Sequence, residues 1–308
     1  MNGTSRPHRG SILVEDAEVL GQESWPGAQY VLHLKAPAIA ARAEPGSFVH
    51  LSCDADLPMR RPLSLQRADA TSGTLEILYK VLGAGLAALA RQPVGARISC
   101  MGPIGRGFVP DPARPRALLL GGGVGMPPMV FLADRLVARH AEGFRPLVLL
   151  GSEVPFPFRP RPSTILVPGV PAGAIASMPL LEGWGVPTRL ASLAGLPGCH
   201  PGYVTELAAA WLGSLEPAAL GQVSMFACGP TPMLAAAARV AQRFAVPCQV
   251  SLEEFMACAV GGCAGCAVRV VTADGAAMKR VCVDGPVFDA NAVFPAAIAP
   301  TPEPALCQ

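Results

Sequence analysis

Arg116-Ala-Leu-Leu-Leu-Gly-Gly-Gly-Val-Gly125 is the stretch from which the architecture of this chain is read. Ala117–Leu120 carries no polar side chain, as expected of a strand buried on both faces of a sheet. A run of glycines follows. Pro127–Ala141 then reads as a helix, with proline in the first turn, where a missing N–H costs nothing. Strand, glycine turn and helix make the repeating unit of a parallel α/β sheet. The unit recurs downstream: Pro146-Leu-Val-Leu-Leu150 is a second strand, Gln222–Cys228 a third, and Pro232–Phe244 a helix after it. Residues 112–250 are therefore expected to form a parallel α/β domain. Its middle, Pro155–Gly202, is rich in Pro and Gly and yields no assignment beyond a strand-to-helix turn at Gly202–Glu206.

Upstream the period changes. Ser11–Leu20, Tyr30–Leu34, Ser47–Ser52, Leu75–Tyr79 and Arg97–Met101 are short alternating runs punctuated by Gly or Pro. Such spacing predicts an antiparallel β-barrel over residues 9–111, with one helix at Leu86–Gln92.

Downstream lie Cys258, Cys263, Cys266 and Cys282, spaced C-x4-C-x2-C and then, after fifteen intervening residues, C. Four thiolates so arranged are the ligand set of a plant-type [2Fe–2S] cluster. Between the first three ligands every residue except Val260 is Gly or Ala, which suits a backbone wrapped tightly around a cluster. Zinc also takes four cysteines, but its knuckles come as two separated pairs, whereas here three ligands crowd one loop. A hairpin should carry the fourth ligand back, with Ala267–Thr272 and Lys279–Cys282 as strands and Asp274-Gly275 in the turn. Residues 251–308 form the expected cluster-binding domain.

Composition narrows the function. The 308 residues are 51% hydrophobic and 15% charged, with a net charge of +2, which rules against disorder and against a nucleic-acid footprint. The N-terminus lacks an apolar core region, and the uncharged stretches Ala117–Ala133 and Pro162–Leu181 are broken by Gly and Pro, so neither a signal peptide nor a membrane span is expected. The reading is a cytoplasmic protein whose remaining cysteines, Cys53, Cys100, Cys199, Cys248 and Cys307, are reduced and ordinary. His8, His33, His50, His140 and His200 are scattered, and no Ser-His-Asp arrangement or carboxylate pair points to hydrolysis.

Four motifs outside the cysteine segment carry chemistry. In Arg60-Arg61-Pro62-Leu63-Ser64 a fork-shaped cation suits a diphosphate, and a hydroxyl stands nearby. Leu78-Tyr79-Lys80 precedes Gly83-Ala-Gly85-Leu86, glycines before a helix that expose N–H groups to a phosphate, with Tyr79 placed to stack on or line a ligand. Gly121, Gly122, Gly123 and Gly125 stand where a dinucleotide phosphate meets a helix start, though not as G-x-G-x-x-G. Cys228-Gly229-Pro230 ends a strand at the carboxyl edge, where the Cys228 thiol can face a nicotinamide. Each alone also fits an ordinary turn.

Taken in order, these motifs resemble the ferredoxin–NADP reductase superfamily. With the cysteine cluster added, they resemble the electron-transfer subunits of NAD-dependent (class 1B) dihydroorotate dehydrogenases. The most specific stretches are Ser251–Cys266, Val281–Phe288, Met101–Phe108 and Gly121–Pro128. The resemblance implies a β-barrel holding FAD through Arg61, Pro62, Leu63, Ser64, Leu78, Tyr79, Lys80, Gly85 and Leu86. It implies an α/β domain receiving NAD, with NADP left open, and a [2Fe–2S] cluster on the four cysteines. It further implies a partner, the FMN-containing catalytic subunit, in a heterotetramer of two plus two. Electrons would pass from that FMN through the cluster and FAD to NAD+ in pyrimidine (UMP) biosynthesis. An NAD(P)H reductase subunit of another complex, of ferredoxin–NADP oxidoreductase or sulfhydrogenase type, shares the same motifs. Departures from the family are Leu86 where Thr is usual, Phe255 where Arg is common and Ala259 where Gly is common.

Overall fold

The computed structural model describes residues 11–295, apart from residues 55 and 274. His8, Asp274 and Cys307 thus lie outside the described residues.

The first sheet has seven antiparallel strands in the order β4-β3-β7-β1-β2-β6-β5. They are β1 (Leu13–Trp25), β2 (Gln29–Lys35), β3 (Phe48–Leu51), β4 (Arg61–Ser64), β5 (Arg67–Asp69), β6 (Thr74–Lys80) and β7 (Arg97–Ile104), with the short helices α1 (Pro37–Ala40) and α2 (Gly83–Leu89) in the connections. β1 runs longer than its alternating stretch because a register shift between Val19 and Gly21 lets it bend while keeping both neighbours. Edge strand β4 comes back close to β6 without pairing to it, so the sheet curls into a half-barrel. Val19, Leu32, Leu51, Leu65, Ile77 and Leu89 fill its interior, all fully buried.

The second sheet has six strands in the order β12-β9-β8-β13-β14-β17. After β8 (Arg116–Gly122) come α3 (Met126–Ala138), β9 (Leu147–Gly151), a two-strand ribbon of β10 (Arg161–Pro162) and β11 (Ala176–Ser177), and α4 (Pro179–Gly183). β12 (Thr188–Ala191), α5 (Val204–Gly213), α6 (Pro217–Leu220), β13 (Val223–Cys228), α7 (Thr231–Arg243) and β14 (Cys248–Ser251) complete the α/β part. β12, β9, β8, β13 and β14 pair in parallel, and β8 lies central. The chain leaves β8 toward β9 on one side and later returns to β13 on the other, so the crevice above β8 and β13 is the switch point at which open sheets bind ligands. Phe131 of α3 is packed into the half-barrel's core, and Arg135 Nη2 donates to the Ala68 carbonyl at 2.9 Å, which ties the two sheets together.

β15 (Ala267–Thr272) and β16 (Gly275–Arg280) form the expected hairpin, which the one-turn helix α8 (Val281–Asp284) follows. β17 (Val287–Asp289) then pairs antiparallel with β14, and α9 (Ala290–Val293) ends the described chain. The cysteine-bearing segment is thereby stitched to the edge of the parallel sheet, and Met256, Ala259, Cys266, Val281 and Cys282 share one buried core with Leu118, Met225 and Val250.

Three local expectations are corrected. The helix expected at Leu86–Gln92 spans Gly83–Leu89, so Gly83 and Gly85 belong to its first turn rather than to a loop before it. The strand ahead of Gly202 is not at the turn itself; β12 ends at Ala191, and Tyr203 caps α5. Cys282 sits on α8 instead of on the second hairpin strand.

Candidate functional site

A cavity of about 920 Å³ opens where the half-barrel, the parallel sheet and the cysteine-bearing segment meet. From the half-barrel it is lined by Arg61, Pro62, Leu63 and Ser64 of β4 and by Leu78, Tyr79 and Lys80 of β6, with Leu86 of α2. All were anticipated from the motifs, and the fold brings these separate pieces to one wall.

Why they meet follows from the strand edges. β5 pairs with β6 only from Thr74 to Glu76, so among the described residues Leu78–Lys80 has strand pairing on its β2 side alone. Its other edge offers backbone N–H and C=O groups to the cavity, as a planar polar ring requires. Arg60 and Arg61 take opposite roles. Arg60 turns inward to the Ser99 carbonyl at 2.8 Å, the Ser99 hydroxyl at 2.8 Å and the His50 carbonyl at 3.2 Å. Arg61 donates only to the Met59 and Arg60 carbonyls and has no carboxylate partner among the described residues, which leaves its charge available to an anion. Gly85 is the floor under that guanidinium: a Cβ there would lie 2.7 Å from its Nη2.

Tyr79 contributes its backbone and not its ring. The ring is fully buried and stacked on Tyr30 at 5.5 Å, and its hydroxyl donates to Gln22 Oε1 at 2.6 Å. Leu86 presents an aliphatic side chain to the cavity, with no hydroxyl to donate.

The glycine turn divides its labour as well. A Cβ at Gly121 would meet the Met126 backbone at 2.9 Å, one at Gly122 would strike the Met233 sulfur, and one at Gly125 would strike the backbone of Cys228. These three glycines let β8, β13 and the following helices approach closely. Gly123, at φ +55°, faces open space, and its neighbour Val124 lines the cavity together with Thr231 at the start of α7. The Cys228 side chain is fully buried behind that wall, and burial, followed by the nearby Glu253 carboxylate, holds its thiol well above the ordinary range.

Sequence reasoning missed the opposite wall, Ser251–Ala257, which runs from the end of β14 to the first cysteine. Glu253 is open to the cavity yet hemmed in by protein on most sides, and that enclosure raises its carboxyl pKa. Phe255 is 94% exposed at the rim. No local feature of the sequence signals this placement, which depends on β17 pairing with β14.

Beyond this wall the four cysteines stand as two pairs. The sulfurs of Cys266 and Cys282 are 3.3 Å apart. Cys258 and Cys263 hydrogen-bond through their side chains, and the Cys263 N–H also donates to the Cys258 sulfur at 3.4 Å. Ala259, Gly261 and Ala264 all have positive φ, at +54°, +82° and +55°, so the loop coils with its N–H groups turned inward. Gly265 N–H donates to Cys263 at 3.4 Å. Burial opposes a thiolate at Cys258, but hydrogen bonds from the Cys263, Val260 and Gly262 backbone outweigh it and lower the pKa to about 7. Cys282 is raised to about 12, by burial first and then by its neighbour Cys266: two thiolates in contact need a cation between them. Among the described residues no three such groups converge on a single ion, whereas two pairs suit a binuclear centre with two ligands on each iron. None of the nine described cysteines is in a disulfide, and no helix is long and apolar enough to cross a membrane.

Known proteins share this arrangement. The family model for the iron-sulfur cluster binding domain of dihydroorotate dehydrogenase B matches residues 253–294, a span that holds all four cysteines. The dihydroorotate dehydrogenase B (NAD(+)) electron transfer subunit of Geobacillus thermodenitrificans is 35% identical over 284 residues, 91% of this chain and 98% of the relative. That of Shouchella clausii is 32% identical over 269 residues, 86% of this chain and 92% of the relative. Among solved structures, an NADH-dependent reduced ferredoxin-NADP oxidoreductase chain superposes with a TM-score of 0.71 at 23% identity, covering 91% of this chain and 90% of that one. Phthalate dioxygenase reductase superposes with a TM-score of 0.52 at 15% identity, covering 90% and 78%. These two likenesses speak to the fold, a ferredoxin-reductase-like pairing of flavin-type half-barrel and α/β sheet. Relatives matched along nearly their whole length, together with the family model over the cysteine segment, place this chain in the family of electron transfer subunits of NAD-dependent dihydroorotate dehydrogenase B.

Proposed function

We propose that this chain binds FAD in the cavity and a [2Fe–2S] cluster on Cys258, Cys263, Cys266 and Cys282, and that it passes electrons from an FMN-containing dihydroorotate dehydrogenase catalytic subunit to NAD+. The observation that carries the reading is the single cavity whose wall includes both the half-barrel motifs and the segment leading into the cysteine loop. When bound, an iron–sulfur cluster carries single electrons, and a flavin exchanges them for the hydride that nicotinamide accepts.

The residues fit that division. Arg61, over Gly85, is placed for the diphosphate, and the free edge of Leu78–Lys80 for the ring. With Leu86 in place of a hydroxyl, only backbone N–H groups at the start of α2 are left to serve the nucleotide there. The open turn at Gly123–Val124 and Thr231 faces the same cavity from the parallel sheet, which supports a nicotinamide nucleotide on that side. Gly121, Gly122 and Gly125 support it indirectly, by letting that turn sit close to β13. Cys228 lies behind the wall, where it shapes the nicotinamide side by packing. Inward N–H groups of the cysteine loop stabilise added negative charge on sulfur.

The family's name as an electron transfer subunit implies a catalytic partner, and an assembly of two of each chain is the stoichiometry we infer. The test is NAD+ reduction driven by dihydroorotate, with this chain co-purified alongside the catalytic subunit from the same organism. Activity that requires both chains is the expected result. A preparation that carries flavin and iron but shows no such activity would overturn the assignment.

A further inference from the structure

Arg280, the last residue of β16, joins the two segments that carry the cysteines. Its Nη1 donates to the Gly261 carbonyl at 2.8 Å, in the middle of the Cys258–Cys266 loop. Its backbone N–H donates to Asp284 Oδ2 at 2.8 Å, and its Nε lies 4.0 Å from the same oxygen, a long ion pair. Cys282 is two residues further along.

What Arg280 holds is more specific than a loop. The Gly261 carbonyl and the Gly262 N–H belong to one peptide group, and Gly262 lies against the Cys258 sulfur, 4.0 Å from where a Cβ would stand. A cation on the carbonyl of a peptide polarises it and strengthens its N–H as a donor. The Gly261 backbone is at φ +82°, and a Cβ there would collide with Val283 at 2.6 Å, so the peptide has little room to choose another orientation. Arg280 thus acts on the Cys258 side through that carbonyl, stands two residues from Cys282 in the chain, and adds a positive charge beside both cysteine pairs.

Resting on the cluster assignment above, we propose that Arg280 is a positioning residue for the iron–sulfur centre. It fixes the Gly261–Gly262 peptide against the Cys258 sulfur and, with its charge, favours the reduced cluster. Asp284 opposes it by placing a negative charge at the same junction.

The experiment is potentiometric titration of the full chain, followed by the electron paramagnetic resonance of the reduced cluster, with iron, sulfide and FAD measured in each sample. The wild-type iron and sulfide content tests the cluster assignment by itself: a preparation reconstituted with iron and sulfide that holds neither ends that reading before Arg280 is at issue. Given a cluster, Arg280→Gln should shift its potential downward and leave the flavin potential unchanged. Arg280→Lys, which keeps the charge but not the fork, should stay closer to wild type in potential yet lose iron faster to a chelator. Asp284→Asn should shift the potential upward, a sign that general loosening of the loop would not produce. Should Arg280→Gln fail to retain iron, the Lys and Asn variants decide the matter. A potential unmoved in all cluster-bearing variants, or shifts of the same sign in Arg280→Gln and Asp284→Asn, would overturn the proposal.

Discussion

Arg61 and Gly85 are fitted to each other: the guanidinium lies flat over the glycine, with Nη2, Cζ and Nε all within 2.8 Å of where a Cβ would stand. Gly85 lies inside a helix, so its use here is the space it leaves and not an unusual backbone angle. Replacing Gly85 with Ala should push Arg61 out of place while the half-barrel stays folded. We expect FAD to bind about tenfold more weakly, a change of about 1.4 kcal/mol. Fluorescence titration of the apoprotein with FAD measures this, and unchanged affinity would show that Arg61 does not meet the nucleotide.

Cys258→Ser should separate the two halves of the function. The first cysteine pair loses a ligand, whereas the half-barrel wall of the cavity is untouched. Electron transfer from the catalytic partner should fall to background. NADH oxidation by an artificial dye, which needs only the flavin, should continue. If both activities disappear at equal FAD content, the proposed layout is wrong.

His50 gives the fold an acid-sensitive element. Its side chain is fully buried on β3; the carbonyls of Arg60 and Met256 are near its ring, but neither ring nitrogen reaches hydrogen-bond geometry. Burial, followed by the charge of Arg60, lowers its pKa from 6.5 to about 4. The unfolded chain therefore takes up this proton at higher pH than the folded one. Stability is greatest above pH 6.5, falls as the solution is acidified from there, and levels off below about 4. Urea midpoints across that range, compared between wild type and His50→Leu, isolate the contribution. A difference between the two that does not vary with pH would rule it out.

Phe131 belongs to α3 of the parallel sheet but is buried in the core of the half-barrel, under the Arg135 guanidinium at 5.0 Å from the ring centroid. Phe131→Ala should cost about 3–5 kcal/mol. Because the cavity lies between these two bodies, FAD release should accelerate as well. A chemical denaturation curve and a flavin off-rate check the two effects separately.

The sequence made the parallel core legible because Ala117–Leu120 and Leu147–Leu150 have no polar residue to obscure them. β12 was hidden by Arg189, which looks like a surface residue. It is buried, with its guanidinium bonded to the Thr188 and Ile165 carbonyls at 2.7 Å each, and burial lowers its pKa. Helix α2 was placed late because Gly83 and Gly85 argue against helix, and only the docked Arg61 explains why a glycine is needed at 85. Spacing alone singled out the four cysteines, and the fold gathers them as two neighbouring pairs. The wall at Ser251–Ala257 was not, since nothing local shows that the lead-in to the cysteines lies across from Arg61. Long-range placement of that kind depends on β17 pairing with β14.

That pairing has a consequence for how the protein matures. β14 would otherwise be the outermost strand of the parallel sheet, an uncovered row of backbone donors and acceptors of the sort that invites neighbouring chains. β17 covers it, and β17 follows the last cysteine by only five residues. Whatever orders the cysteine segment therefore protects the sheet edge too, so a chain in which that segment fails to order would leave β14 open to self-association.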